Sequence, residues 1–411
     1  ALWPDQRVCL FDDAWRAWKR IDGLVDFEDL IETARVNFTA APNDPAVIIV
    51  DEAQDLTPSQ VKLIEQWGEA AEWYLMAGDD DQTIYGFTGA SPEHFWDPLP
   101  ENRDTVLAQS YRVPREVHRR AVGFIEQAHQ RKAKTYHPRD FDGQVEELWD
   151  NYKFPDDVLS QVVYPHLKEG RSVMILASCS YMLQTIVMML KRFGDPFENP
   201  YRRNRRDWNP LYSTRQYRSA KDYLVSFLSI GSDPPYWDVP NLLIWTKHLG
   251  VGSDGLIRGK GRAGLDALKE ALEKHMPGLH TSRNVLSEIL NPGAIEPALN
   301  RNIDWFLEHL VGGKQGPMMY PLSIYKRHGA EMLTQKPQIV VGTIHSVKGG
   351  EADVVVLYPD MSTRAMETMM RSPAEEDAMR RVFYVGMTRA KHSLYLMSPV
   401  YRRQNVMFME L

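Results

Sequence analysis

Asp51 and Glu52 follow five apolar residues, Ala46-Val47-Ile48-Ile49-Val50. Such a run reads as a strand buried on both faces, and the carboxyl end of a parallel strand is where α/β proteins gather ligand-binding groups. An Asp-Glu pair there suits phosphoryl-transfer chemistry. The Asp holds Mg²⁺, usually through water, and the Glu orients or deprotonates the attacking water. Taken alone, the pair also reads as a solvated acidic turn after a core strand. A second acidic group, Asp79-Asp80-Asp81 with Gln82, follows Gly78 and the apolar segment from Trp73 to Ala77. The next loop, Thr83 to Ala90, carries Tyr85 and Phe87 at i and i+2 among glycines. Those rings suit either core packing or a platform for unpaired bases, at ~1–3 kcal/mol per stacked base.

Three further stretches carry polar residues in compact order: Gln109-Ser110-Tyr111-Arg112, the run from Gly342 to Glu351 with Thr343 and His345 inside it, and the run from Arg381 to Lys391 with Arg389 near its end. Singly they say little, because a lone Arg is usually solvated and a lone His usually belongs to a turn. The basic run Arg202-Arg203-Asn204-Arg205-Arg206 is open to two readings, a solvated face or a contact with a phosphate backbone.

The elements that must position these residues alternate between strand and helix. Thr57, Pro58 and Gln60 spell a helix start with a capping box. Strands are predicted at 46–50, 73–77, 105–108, 172–176, 338–341, 354–357 and 393–397, with helices at 183–193 and 374–384. This alternation implies parallel sheets. The stretch from about 200 to 335 differs: Gly/Pro breaks at 231–235 and 312–313 separate helix-like segments such as 264–275. It reads as a mostly helical insertion between two parts of one α/β domain. The expected division is 1–105, 106–199, 200–335 and 336–411.

Composition sets the class. The chain has 411 residues, 43% hydrophobic and 25% charged, with a net charge of −7. These are ordinary values for a globular protein and exclude disorder, collagen and a disulfide scaffold. No apolar run reaches the roughly 18 residues of a membrane span. Two cysteines, Cys9 and Cys179, exclude a Cys-rich zinc site and suit a reducing compartment, so a cytoplasmic location is expected. The acidic balance does not advertise nucleic-acid binding, which must rest on local patches.

In this order, the five stretches closely resemble motifs II to VI of the UvrD/Rep/PcrA family of superfamily 1 DNA helicases. Asp51 to Asp55 resembles motif II, Gly78 to Ala90 motif III, Gln109 to Arg112 motif IV, Thr343 to Asp353 motif V, and Arg381 to Lys391 motif VI. Val25 to Leu30 also resembles a short family segment ahead of motif II. The resemblance implies two RecA-like parallel-sheet lobes with ATP in the cleft between them. It makes Asp51 the Mg²⁺ ligand, Glu52 the catalytic base and Gln82 the γ-phosphate sensor. Tyr111 would stack on adenine, Glu351 would bind the ribose, and Arg112 and Arg389 would act as arginine fingers. Tyr85 and Phe87 would stack on DNA bases, with Thr343 and His345 near the strand. The implied partners are single-stranded DNA, its junction with duplex, and proteins of a repair or replication pathway. The implied activity is ATP-driven translocation with 3′→5′ polarity.

Two departures qualify this. Thr88 stands where the family usually has Arg. No G-x-x-x-x-G-K-[ST] phosphate loop occurs in the 411 residues, so the first lobe is expected to be incomplete in this chain, and the chain by itself is not expected to hydrolyse ATP. The alternative is a UvrD-like module that binds single-stranded DNA or a partner and has lost ATPase activity; an RNA-directed helicase is a third reading.

Overall fold

The computed structural model describes residues 5–96, 100, 103–202, 207–214, 217–229, 236–273 and 281–401. The fold is α/β with parallel sheets. The strands are β1 (Val47–Val50), β2 (Trp73–Met76), β3 (Gln109–Pro114), β4 (His137–Arg139), β5 (Gln144–Leu148), β6 (Val173–Ala177), β7 (Phe197–Glu198), β8 (Ile339–Thr343), β9 (Ala352–Leu357) and β10 (Ala390–Met397). The chain divides into two compact units. One comprises 1–110, 121–137 and 364–385, and the other 111–120, 138–363 and 386–411.

In the first unit β1 and β2 pair in parallel, from Val47 opposite Trp73 to Val50 opposite Met76. Helix Pro58–Ala70 makes the crossover and begins as its sequence dictates. Thr57 Oγ1 accepts the Gln60 N–H at 3.4 Å, and Gln60 Oε1 accepts the Thr57 N–H at 2.8 Å. Two corrections belong here. The 46–50 run was predicted to be buried on both faces, yet Val47, Ile49, Trp73 and Leu75 are exposed. Among the described residues this sheet has two strands, so alternate side chains of each strand have nothing over them. The strand predicted at 105–108 instead starts at Gln109. Val106 and Leu107 are exposed, so that segment has no face to bury, although Ala108 O accepts the His137 N–H at 2.7 Å.

The second unit holds a six-stranded sheet in the order β5-β10-β9-β6-β8-β7, parallel throughout. Every residue of β6 is buried, as an apolar strand in a parallel sheet should be. The helical insertion lies between β7 and β8. Its centre is aromatic: Phe227 stacks on Phe306 with ring centroids 4.4 Å apart, and Trp237 donates its indole N–H to Phe227 O at 2.8 Å. The predicted segment 264–275 falls on helix Lys260–Glu273; residues 274–275 and the break at 231–235 lie outside the described residues. No helix among the described residues is long and apolar enough to cross a membrane.

Candidate active site

In the first unit β1 delivers Asp51 and Glu52, both exposed. Asp51 Oδ1 accepts the Glu52 N–H at 2.9 Å. Glu52 has φ +52°, a left-handed conformation that a residue with a Cβ adopts at a cost and that clusters at functional sites. The turn is held from below by Gln54, which is fully buried. Gln54 donates to Glu52 Oε2 at 2.5 Å and accepts the Asp79 N–H at 3.0 Å. Gly78 permits this approach: a Cβ there would lie 2.5 Å from both Gln54 Oε1 and the Phe95 ring. Asp79 in turn accepts from Gln82 Nε2 at 2.7 Å on Oδ2. A continuous hydrogen-bonded chain thus joins Glu52, Gln54, Asp79 and Gln82. Sequence reading singled out Glu52, Asp79 and Gln82 but gave Gln54, which links them, no role. Gln54 lies inside the acidic motif, but its role shows only in three dimensions.

Asp79, Asp80 and Asp81 bring carboxylate oxygens within 4.8 Å of one another, a spacing that could hold a cation. Here the cations are side chains. Lys134 Nζ lies 2.5 Å from Asp79, 2.5 Å from Asp80 and 3.0 Å from Asp81. Arg131 grips Asp81 with Nε at 3.1 Å and Nη2 at 2.7 Å, the two-point geometry suited to a carboxylate. Asp80 Oδ2 also accepts the Lys132 N–H at 2.7 Å and the Trp96 indole at 3.3 Å. Burial works to raise the Asp80 carboxyl, but Lys134 and its other donors hold it below the usual range. Burial likewise works to lower Lys134, and the three carboxylates keep it raised. The triad therefore does not fit a metal ion, whereas the exposed carboxylates of Asp51 and Glu52 offer the hard oxygen donors that Mg²⁺ takes.

Beyond Gln82 the loop presents Tyr85, half-buried, and Phe87, 77% exposed. The rings meet edge to face with centroids 6.0 Å apart. Thr88 Oγ1 donates to Tyr85 O at 2.7 Å, so this residue fastens the loop locally.

The second unit carries the other predicted residues in three places. Tyr111, 86% exposed, and Arg112, half-buried, lie in β3. Thr343 ends β8, and His345 sits half-buried in the turn Ile344–Val347 that follows. Ser346 Oγ anchors that turn, donating to Thr343 O at 2.7 Å and accepting from Asn199 Nδ2 at 3.0 Å. Glu351 and Arg389 immediately precede β9 and β10, at the opposite end of the parallel sheet from Thr343, and Ala352 N–H donates to Arg389 O at 3.1 Å. Arg389 is 1% exposed. Its Nη1 donates to Gly350 O at 3.3 Å and its Nη2 to Thr388 Oγ1 at 3.4 Å. Glu351 is exposed, with Lys391 Nζ at 3.5 Å. Arg203, Arg205 and Arg206 of the basic run lie outside the described residues.

The UvrD/REP helicase N-terminal domain family matches residues 6–98, and the UvrD-like helicase C-terminal domain family matches residues 300–400. The chain is similar to YjcD of Bacillus subtilis, 25% identical over 96% of this chain and 56% of that protein. It is also similar to the ATP-dependent DNA helicase PcrA of Bacillus subtilis, 23% identical over 90% of this chain and 58% of that protein. A shorter stretch is 36% identical to the ATP-dependent DNA helicase UvrD2 of Mycobacterium bovis, over 23% of this chain and 15% of that protein. The chain spans a little over half the length of the two relatives it matches along most of its course. With both terminal domain families matched, and with similarity to YjcD and PcrA along most of its course, the chain belongs to the UvrD/Rep/PcrA type.

Proposed function

We propose that this chain is part of an ATP-dependent DNA helicase that moves 3′→5′ on single-stranded DNA, takes ATP with Mg²⁺, and works in the cytoplasm at junctions of single- and double-stranded DNA. The observation that carries the reading is the hydrogen-bonded chain from Glu52 to Gln82, which ends one residue before Thr83 and three before Tyr85. It ties a carboxylate fit to activate water to a loop fit to stack on bases, so events at one end are felt at the other. Mg²⁺, when bound, neutralises charge on the phosphate oxygens.

Asp51 binds that ion through its exposed carboxylate, and Glu52 accepts a proton from the attacking water. Gln82 presents its amide to the transferred phosphoryl group. In the second unit Tyr111 stacks on the adenine, Glu351 accepts from the ribose hydroxyls, and Arg112 and Arg389 supply guanidinium charge to the phosphoryl oxygens. Tyr85 and Phe87 stack on bases, and Thr343 and His345 line the path of the strand.

The test is steady-state phosphate release by the full-length gene product, with and without single-stranded DNA. DNA should stimulate turnover, and Glu52→Gln should remove most of it while retaining ATP and DNA binding. Arg389→Ala should lower turnover by ~10³-fold or more if the guanidinium acts on the phosphoryl group. Near-normal hydrolysis in both variants contradicts the assigned roles.

A further inference from the structure

We infer that Lys134 is a positioning residue for the chemistry at Glu52 and Gln82, acting through Asp79; this rests on the helicase reading above. Neither its sequence neighbourhood nor the motif pattern marks Lys134, which lies 55 positions from Asp79. The structure places its ammonium at the centre of three carboxylates, with a side chain only 16% exposed. So deep a charge, with its three partners already in place, acts on them rather than on a ligand.

Asp79 is the partner that matters. Its Oδ1 takes the Lys134 ammonium at 2.5 Å and the Asp81 N–H at 3.2 Å. Its Oδ2 takes Gln82 Nε2, and its backbone N–H meets Gln54, which holds Glu52. A primary amide has a donor end and an acceptor end of nearly the same shape. Gln82 is kept in one orientation because its amino end faces a carboxylate oxygen, which accepts. Lys134 supplies the charge that holds the Asp79 carboxylate in place beside two like-charged neighbours. Without it the guanidinium of Arg131, which grips Asp81, is the cation that remains against the three carboxylates among the described residues. Their repulsion opens the turn, and Gln82 and Gln54 lose a common anchor.

A positioning role differs from a purely structural clasp in what it moves. Lys134→Met in the full-length protein, at saturating single-stranded DNA, should lower kcat for ATP hydrolysis by about tenfold or more, because displacement by ~1 Å in such a site is worth that much. KM for ATP and the Kd for a fluorescent oligonucleotide should stay within about threefold, since neither ligand touches Lys134. Lys134→Arg, which restores a cation, should recover much of the lost kcat.

Asp79→Asn provides a second route should Lys134→Met fail to fold, because it reduces negative charge in the cluster. With its carbonyl oxygen turned to Lys134, the new amide offers Gln82 a donor and forces its amide to flip. It should therefore also lower kcat with KM little changed. Normal kcat in the folded variants, beside a wild type that Glu52→Gln inactivates, overturns the role of Lys134 and leaves the helicase reading intact. Parallel losses of kcat, KM, DNA affinity and melting temperature, with no recovery in Lys134→Arg, overturn it in favour of a structural clasp. A wild type without DNA-stimulated turnover overturns the helicase reading, and this inference with it.

Discussion

Glu52 and Gly78 show how closely single residues are fitted. Glu52 sits in the left-handed region because the chain must turn from β1 into the Gln54 anchor within two residues. Gly78 leaves room for that anchor. Gly78→Ala should therefore destabilise the protein by ~1–3 kcal/mol, the usual result of forcing atoms into a packed site. Urea unfolding at fixed pH measures this, and an unchanged midpoint would mean that Gln54 and Phe95 can move aside at little cost. At this scale the sequence was informative where chemistry is contiguous: Asp51 and Glu52 directly follow one apolar segment, and Gln82 closes the acidic group that follows the next. It was silent on pairings made across the fold. Gln54 meets a backbone N–H 25 positions away, and Lys134 and Arg131 reach the acidic triad across 50 or more.

Elements were legible where their signals are local. The capping box at Thr57 and Gln60 could be read from four residues, and the buried β6 from its apolar run. β4, β5 and β7 were missed because strands of three, five and two residues carry too little periodicity. β5 joins its sheet only by pairing with β10, far along the chain.

The loop after β9 carries a further consequence. Asp360 is 1% exposed; its Oδ1 accepts the Val400 N–H at 2.8 Å, and its Oδ2 is buried with no partner. Burial pushes this carboxyl up to about 6. In the unfolded chain the carboxyl loses its proton near 4, so between about pH 4 and pH 6 the folded state holds the extra proton, and stability falls as pH rises. The protonated form is the favourable one, and its contribution is gone above about pH 6, a loss on the order of 2 kcal/mol. Asp360→Asn should flatten the profile across that window, as read from unfolding midpoints at a series of pH values. An unchanged slope would place the titration elsewhere.

At the scale of the molecule, the strand–helix alternation written along the chain pointed to parallel sheets, and the Gly/Pro-broken stretch from about 200 to 335 read as mostly helical. The division into two units was harder to read, because each unit is assembled from three separated segments and no local signal marks where the chain passes from one to the other. The paired rings of the first unit, Tyr85 and Phe87, offer a property of the whole protein that can be measured. Changing Tyr85 and Phe87 together to Ala should weaken single-strand binding by about 2–5 kcal/mol, from ~1–3 per lost stack. Unchanged affinity in a folded double variant would return both rings to a structural role.

Strand separation tests most directly the proposal that ATP hydrolysis at Glu52 drives movement along DNA. Full-length protein should displace the strand of a duplex carrying a 3′ single-stranded tail when ATP and Mg²⁺ are supplied. It should fail with a 5′ tail, and Glu52→Gln should bind the substrate without displacing it. A folded wild type that binds the tailed duplex but separates no strands with ATP would contradict the account and identify a DNA-binding module that has lost its motor.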